Sequence, residues 1–394
     1  MLNEVILWIL FLSSRLIIWK FPPNFTDVFY SYYDYARLWS EGYLPYLKHL
    51  FEYPPANIPL FYLPWLINRT KLITYLTFYR FIIFLTDSFI FFLIIKTLKK
   101  LKVKKIGFYI AVIYYILAIL KAKDFVYDSM DLVFISTLFL SLILLKLKKQ
   151  SQVIRFFSWF FFWLSTAFKY ITFPLVIPYL MMKKGKDFKN QLLISILAFF
   201  VVWGAPLIIF RSSLSVSFVY HFKRGFQVES VPANIIRLIN SWTKSEHYIE
   251  VFKNYDITGP VTTKLTPFLS LMFPLAILGF LIYSLKKSLA LVKKGKFDDY
   301  KERLKLALQY LFLFLLTGKV FSTPFHLWLP PLLAIYPFKS VKKQLSVLIT
   351  SFFMIAISMT PIPNLKFSIF DLHTAIGIAR PICLLFMLFK ISKS

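Results

Sequence analysis

The sequence predicts an all-α, polytopic membrane protein with about twelve transmembrane helices. Three observations predict this class: 58% of the 394 residues are hydrophobic, only 16% are charged, and the mean hydropathy is +0.66. A soluble chain of this length carries a larger polar share, and its core helices need shorter apolar stretches than those that recur here. The sequence contains no internal repeat and no polar, domain-sized stretch, so residues 1–394 are expected to form a single transmembrane domain.

Charge and cysteine content exclude other classes. The net charge of +29 is compatible with nucleic-acid binding, but Lys and Arg lie in short runs between apolar stretches, which is typical of cytoplasmic loops. We therefore expect no nucleic-acid partner. The single cysteine, Cys383, excludes a disulfide framework and a Cys-based metal site. His, Asp and Glu show no metal-site spacing, so no metal and no cofactor is expected.

The basic runs set the expected topology, because runs on the same side of a membrane are separated by an even number of crossings. We place all six inside: 96–105, 146–155, 183–189, 286–305, 339–343 and 390–393. Residues 1–19 are then a first span and not a removed signal peptide. The predicted spans are 4–20, 72–95, 106–120, 131–146, 156–169, 171–182, 191–210, 267–285, 304–318, 323–338, 344–360 and 372–389. Both termini are thus expected to be cytoplasmic, in a multi-pass protein of the cell membrane.

Two segments need a different interpretation from a straight crossing. Segment 55–66 is apolar but short and contains three prolines, so it is expected to be re-entrant or interfacial. Between the basic residues Arg155 and Lys183, two short helices that turn near Lys169 keep both runs inside. A charged turn at membrane depth is tolerated where it lines a wet cavity.

Arg80 and Asp87 are also ionisable residues within a predicted span. They lie seven residues apart and therefore on one face of the helix. They can pair with each other through a third group or with neighbouring helices, and structural pairing between helices is the more common explanation.

Two outer loops, 21–71 and 211–266, are too long to be simple connectors. Together with Asp124, Asp128 and Asp131 of a shorter outer segment, their carboxylates make up 11 of the 18 in the chain. In the first, Asp27 lies close to the membrane surface and precedes an aromatic run, 28–41, that suits a helix lying on the membrane. A carboxylate in that position can accept a proton from an acceptor hydroxyl. The alternative is that Asp27 or Thr26 caps the helix.

The next segment of the first loop is expected to be rigid. Glu52 and Tyr53 precede Pro54 and Pro55, and each proline pushes the residue before it towards extended geometry. Taken alone, this segment is a rigid turn.

The second loop carries His221, Lys223 and Arg224 within four residues, beside aromatic side chains and just outside a span. Such a cluster can hold a lipid phosphate at headgroup height, and the alternative is nonspecific attraction to anionic lipid. His221 and His326 are each a candidate acid, base or ligand, although a lone interfacial histidine is more often an ordinary polar residue. No Gly-rich phosphate loop is present, so a nucleotide-sugar site is not expected.

Taken in order, these residues resemble integral-membrane glycosyltransferases of the GT-C superfamily, and most closely glycosyltransferase family 87. The matching blocks are Asp27 with its Tyr-rich helix, Gly42-Tyr43-Leu44-Pro45-Tyr46, Glu52-Tyr53-Pro54-Pro55, the Lys169 segment with Pro174 and Pro178, Arg224-Gly225 through Glu229-Ser230, and Phe321-Ser322 leading to Trp328 and Pro330. They extend over residues 27–330. Two departures exist: Tyr30, Tyr32 and Tyr33 are all available as the aromatic partner of Asp27, and Thr323-Pro324 replaces the expected Pro-Gln.

The resemblance implies a GT-C type fold and an inverting transferase, working among membrane lipids at the outer face. It would move a hexose, typically mannose, from a polyprenyl or dolichyl phosphate carrier to a glycolipid or glycan acceptor. Asp27 would be the base, and the phosphate would bind His221, Lys223 and Arg224, with Lys169 as a further candidate. Glu52 and Glu229 would bind sugar hydroxyls or organise the loops, and Tyr53 and His326 complete the expected substrate-binding set. A lipid monophosphate donor needs no divalent bridge.

Two other classes stay open at this level. A secondary transporter or lipid-carrier flippase can have as many spans, but it is expected to place charged residues on discontinuous helices at mid-membrane and to have two related halves. Here the loops are unequal and the carboxylates lie mostly outside the spans. A noncatalytic scaffold would tolerate a neutral residue at Asp27, which an enzyme of the implied kind would not.

Overall fold

The computed structural model describes residues 2–21, 27–145, 151–181, 185–243, 247–251, 254–294, 300–359 and 372–393, most of which are helical. The α-helices are α1 (Leu2–Lys20), α2 (Tyr33–Ser40), α3 (Asn57–Arg69), α4 (Tyr75–Lys100), α5 (Lys105–Lys121), α6 (Asp131–Leu145), α7 (Gln152–Phe168), α8 (Val176–Met181), α9 (Gly185–Phe210), α10 (Ser215–Lys223), α11 (Val231–Thr243), α12 (Pro260–Lys293), α13 (Tyr300–Thr317), α14 (Leu329–Ala334), α15 (Val341–Ser358) and α16 (Leu372–Ser392). A π-helical turn occupies Val28–Tyr32, and 3₁₀ turns occupy Tyr170–Leu175, Arg211–Leu214 and Thr323–Trp328. The helical character predicted from composition is confirmed.

Five helical stretches in the described part of the chain are long and apolar enough to cross a membrane. They are α4, the continuous stretch Asp187–Lys223, α12, α15 and the Ala375–Ser392 part of α16. Large apolar side chains on these stretches face outwards, for example Ile208 and Phe268, each of which is more than 70% exposed. Such surfaces are unfavourable in water and suit contact with lipid chains. The expectation of a membrane environment agrees with this arrangement.

The other segments predicted as spans also form helices. Helices α1, α5, α6, α7 and α13 begin and end within a few residues of the predicted bounds. The segments predicted at 171–182 and 323–338 each contain a 3₁₀ turn followed by a short α-helix. The largest difference follows α9, where the helical path continues to Lys223, so the second outer loop starts with helix. Helix α3 is about 20 Å long, less than the ~30 Å hydrocarbon core, as expected for the re-entrant or interfacial segment.

The second outer loop departs from the all-α expectation by forming a small antiparallel sheet. Strands β1 (Phe226–Gln227), β2 (His247–Val251) and β3 (Asn254–Thr258) are ordered β1-β3-β2. Phe226 lies opposite Ile257 in the ladder, and both side chains are buried against α11 residues Ala233 and Ile236. The sheet forms because these two apolar residues bury one of its faces, which outweighs the absence of a strong strand pattern in the sequence.

The helix break predicted near Lys169 is confirmed. Helix α7 ends at Phe168, and Lys169 has an extended backbone, with φ −147° and ψ 126°, before the next 3₁₀ turn begins. The amide of Asn57 donates to the Phe168 carbonyl at 3.0 Å, and the backbone N–H of Ala56 donates to the Ala167 carbonyl at 3.0 Å. The first outer loop therefore satisfies the carbonyls left unpaired at the end of α7.

Two buried ion pairs join the helices. Arg80 binds Asp128 through two nitrogens, at 2.9 and 2.6 Å, and does not pair with Asp87. Asp87 instead accepts from Arg15, at 2.7 and 3.1 Å, and from two tyrosine hydroxyls, those of Tyr115 and Tyr127. Asp87 therefore has the inter-helix structural role that the sequence favoured, whereas Arg80 ties α4 to the turn that precedes α6. These charges are well satisfied, as buried charges must be.

We predict that Asp87→Asn destabilises the protein by about 3–5 kcal/mol, because it leaves the buried Arg15 guanidinium without its counter-charge. The thermal unfolding midpoint in detergent measures this loss. Asp34→Asn is the matched control, because Asp34 is half exposed and lies 4.0 Å from Arg37 at the surface; its effect should be below about 1 kcal/mol. Equal midpoints for the two variants would contradict a structural role for the Arg15–Asp87 pair.

Candidate active site

Asp27 lies at the start of the first outer loop helix, with its side chain open to solvent. The carboxylate makes no capping hydrogen bond with the backbone of that helix. The hydroxyl of the buried Tyr32 acts on this carboxyl instead and lowers its pKa. Helix capping by Asp27 is therefore not what the structure has. Of the two candidate partners whose side chains the structure describes, Tyr32 and Tyr33, it is Tyr32 that acts on Asp27. Thr26, the other capping candidate, lies outside the described residues.

The surroundings of Asp27 tune its acidity. Desolvation by the surrounding protein raises the pKa of this carboxyl to about 6, and the negative charges of Asp131 and Glu52 contribute in the same direction. Lys169 and the Tyr32 hydroxyl act in the opposite direction. A pKa near 6 leaves the carboxylate ionised at pH 7 and makes it a stronger base than an ordinary aspartate. Asp27 thus combines an exposed position with surroundings that make its carboxylate more basic.

Lys169, whose charge acts on Asp27, is held in place by Asp131. Its Nζ lies 2.7 Å from Asp131 Oδ1, and Trp328 Nε1 donates to the same oxygen at 2.6 Å. The ammonium also lies 4.2 Å from the centre of the Phe325 ring and 4.9 Å from that of Trp328. Asp131 balances the charge of Lys169, so Lys169 is poorly suited to bind a phosphate directly. Its fixed positive charge acts instead on the neighbouring carboxylates.

Asp131 is the functional candidate that sequence reasoning missed. It is the first residue of the predicted span 131–146. An ionisable side chain at the end of a span is the signal that was available. Its pairing with Lys169, 38 residues further along the chain, depends on packing that no local pattern reveals.

Glu52 joins the two outer loops. Its backbone oxygen lies 3.1 Å from His221 Nε2, and the Tyr220 hydroxyl, the charge of Arg224 and the Tyr53 hydroxyl all act on its carboxyl. Burial raises the pKa of Glu52 above its usual value, while Tyr220, Arg224 and the other partners oppose that rise. Tyr53 packs edge-on against Tyr32, with ring centres 5.7 Å apart. The Glu52–Tyr53 turn therefore interacts both with Tyr32, which acts on Asp27, and with Arg224.

His221 lies in the site but does not carry the charge that the sequence assigned to it. Burial among protein atoms, followed by the charge of Arg224, lowers the pKa of His221 to about 4, so the ring is neutral at pH 7. Its Nε2 lies 3.1 Å from the backbone oxygen of Glu52. A carbonyl oxygen only accepts, so Nε2 carries the proton and Nδ1 is left as an acceptor. His221 therefore ties the two loops together and is unsuited to binding an anion.

Arg224 and Lys223 are adjacent in sequence but differ in environment. Helix α10 ends at Lys223, which is exposed and contacts no charged partner among the described residues. The side chain of Arg224 is 7% exposed and lies 3.7 Å from Asp256, too far for a hydrogen bond. Within the described part of the chain, its Nε and Nη2 atoms have no hydrogen-bond acceptor. Arg224 is thus a buried cation with donors available for an anionic ligand.

Lys319 fixes the backbone beside Arg224. Its Nζ donates to the carbonyls of Phe222 at 3.1 Å and Arg224 at 3.3 Å. These carbonyls lie at the end of α10, where a cation is favourable. Lys319 directly follows the predicted span 304–318, and its contacts indicate a positioning role.

Glu229 and His326 lie together in a different cluster. Glu229 accepts hydrogen bonds from the hydroxyl and backbone N–H of Thr323, at 2.9 and 3.2 Å, and lies 3.5 Å from Arg380. These contacts match the loop-organising alternative for Glu229. His326 is completely buried beside Phe321, and neither ring nitrogen has a hydrogen-bond partner among the described residues. The structure thus brings six of the predicted residues together: Asp27, Glu52, Tyr53, Lys169, His221 and Arg224.

Comparisons with known proteins find no match for this chain among protein-family models, curated proteins or solved structures. Among the described residues, no three His, Cys, Asp or Glu side chains are arranged to hold a metal ion. The described residues of the site bring together a carboxylate of raised basicity, a buried arginine and the loops that connect them.

Proposed function

We propose that the protein is an inverting glycosyltransferase that moves a hexose, with mannose as the leading candidate, from a polyprenyl or dolichyl phosphate to a lipid or glycan acceptor. One observation carries the proposal: the ionisable base Asp27 and the unsatisfied donors of Arg224 both interact electrostatically with Glu52. A site for this reaction needs a base for the acceptor hydroxyl and a cation for the departing phosphate within one cavity.

The reaction is a single displacement. The acceptor oxygen attacks the anomeric carbon as the bond from that carbon to the phosphate oxygen breaks, and the hydroxyl proton passes to Asp27. The electron pair of the broken bond leaves on the lipid phosphate, whose added charge Arg224 is placed to bind. A phosphate is a good leaving group and needs no general acid, so one basic carboxylate is sufficient. Attack from the opposite face inverts the configuration.

The proposed topology places this cavity on the outer side of the cell membrane, in a GT-C type arrangement of about twelve spans with both termini in the cytoplasm. A helix in each predicted span and the break at Lys169 support it. A charged helix break is tolerated at the edge of a membrane when it faces a polar cavity, and Lys169 acts on both Asp27 and Glu52.

We predict that Asp27→Asn lowers sugar transfer by about 10²-fold or more, because an amide cannot accept the hydroxyl proton. Transfer is measured with purified protein in nanodiscs, decaprenyl phosphate mannose as donor and a panel of alkyl mannosides as acceptors. Asp34→Asn makes the same chemical change nearby at an exposed position and should retain activity. Wild-type rates for Asp27→Asn would remove Asp27 from the mechanism. Movement of the carrier across liposomes without transfer would favour a flippase.

The paired residues Arg224 and Lys223 give a sharper test of phosphate binding. We predict that Arg224→Gln weakens binding of decaprenyl phosphate by roughly 10- to 100-fold, because it removes charge-assisted hydrogen bonds. Lys223→Gln removes the same charge one residue earlier, from an exposed side chain, and should have a much smaller effect. Tryptophan fluorescence titration reports the affinity, and the unfolding midpoint controls for misfolding. Equal losses in the two variants would favour nonspecific attraction over a defined phosphate site.

Activity should also respond to pH through Asp27. The base works when ionised, so the rate is expected to fall as pH drops through about 6. Asp131→Asn removes a negative charge that raises the pKa of Asp27, and this acidic limb should then move to lower pH. Asp34→Asn, which changes net charge equally, should leave the limb in place. Because Asp131 also holds Lys169, the unfolding midpoint of Asp131→Asn is measured alongside. An unchanged limb in folded Asp131→Asn would show that Asp27 is not the titrating base.

A further inference from the structure

A cluster of lysines lies at the end of the helical bundle opposite to the two outer loops in the proposed topology. The strongest electrostatic influences on Lys343 come from four other lysines, namely Lys339, Lys390, Lys301 and Lys393. They belong to three elements: the start of α13, the segment that leads into α15, and the end of α16. Glu302, which pairs with Lys287, is the acidic side chain that acts on the neighbouring Lys305. The lysines outnumber it, which favours a bound anion.

The ends of α13 and α16 are held together, so the cluster has a defined shape. Lys305 on α13 is 6% exposed, and its Nζ donates to the Ser392 backbone carbonyl at 2.6 Å. Gln309, one turn further along α13, donates to the Ser392 hydroxyl at 2.8 Å. Two contacts from one helix fix the last turn of α16, and with it the neighbouring Lys390 and Lys393.

An apolar groove continues from this cluster along the outside of the bundle. It lies between α15 and α16 and is lined by Ile349, Thr350, Phe353, Ile382, Cys383 and Phe386. Three of these side chains, Ile349, Phe353 and Ile382, are more than half exposed. A groove of this composition suits a hydrocarbon chain.

The groove and the lysines lie on the same helix faces. Lys390 follows Phe386 by four residues, and its Nζ lies 5.1 Å from the centre of the Phe386 ring. On α15, Lys342 precedes Ile349 by seven residues, two turns or about 10 Å along the axis. A ligand with its charge at the lysines can therefore extend apolar chains directly into the groove.

We propose that this face binds an anionic phospholipid of the inner leaflet, with the headgroup phosphate at Lys342, Lys343, Lys390 and Lys393 and an acyl chain between α15 and α16. Basic residues at the end of a span are common on the cytoplasmic side and bind no particular lipid by themselves. The adjoining groove adds a second requirement, a hydrocarbon chain, which free phosphate does not meet. The proposal rests on the proposed topology but not on sugar transfer.

Photolabelling tests this site in the full-length protein. Nanodiscs of phosphatidylcholine are doped with phosphatidylglycerol that carries a diazirine on one acyl chain, and the labelled peptides are identified by mass spectrometry. Labels are expected in peptides that contain 349–353 or 382–386. Unlabelled phosphatidylglycerol should compete, whereas phosphatidylcholine and glycerol phosphate should not. Equal competition by phosphatidylcholine or by glycerol phosphate would overturn the proposal.

Matched variants test whether photolabelling depends on the lysine cluster and on the apolar groove. Replacing Lys342, Lys343, Lys390 and Lys393 by Gln should reduce labelling roughly tenfold or more. The control replaces the exposed Lys100, Lys102, Lys104 and Lys105 of another basic run and should leave labelling unchanged. Ile382→Trp fills the groove without changing charge and should also abolish labelling, independently of any effect of the lysine substitutions on folding. Labelling that survives both the lysine variant and Ile382→Trp would overturn the site. No sugar donor is present, so the result is separate from the proposed transfer.

Discussion

The ion pair between Lys169 and Asp131 is the interaction on which the arrangement of the site depends. It lies where α7 breaks, and it joins the start of α6 to the Thr323–Trp328 turn through Trp328. The carbonyls exposed by the same break bind the backbone of the first outer loop at Ala56 and the side chain of Asn57. Breaking a buried pair of this kind costs about 3–5 kcal/mol. A single charged helix break thus sets the position of the loop that contains Glu52 and Tyr53.

This arrangement also explains how two loops far apart in the sequence form one cavity. Glu52 contacts His221 through its backbone, and its carboxyl interacts electrostatically with Lys169 and Asp27 as well as with Arg224. The result is an electrostatic gradient from a carboxylate of raised pKa to a buried guanidinium. Such preorganised charges act more strongly in a crowded cavity than in water, because little solvent is present to screen them.

Much of the fold followed from apolar length and the spacing of basic runs. Those features located the helices and the break at Lys169, since both reflect local composition. The partners of the buried charges could not be predicted from the sequence. Arg80 pairs with Asp128, 48 residues away, and Asp87 pairs with Arg15, 72 residues away. Helical periodicity predicted that Arg80 and Asp87 lie on one face of α4, but the partner that each one binds depends on how the helices pack.

The residues of the site were also predictable in part, but their environments were not. Residue type and membrane position selected Asp27, Glu52, Arg224 and Lys169, all of which meet in the cavity. The same reasoning treated Lys223 as equivalent to Arg224, because local sequence does not reveal that α10 ends between them and turns only the second side chain inwards. It also could not assign the protonation of His221, which burial and a neighbouring cation determine.

The central claim is that Asp27 and Arg224 face one bound phosphosugar. A cryo-electron microscopy map of the protein in nanodiscs with decaprenyl phosphate measures this directly. The account predicts phosphate density within hydrogen-bond distance of the Arg224 guanidinium, with space for one sugar ring between the phosphate and the Asp27 carboxylate. Phosphate density at the Glu229–Arg380 cluster, or a helix filling the space between Asp27 and Arg224, would contradict it.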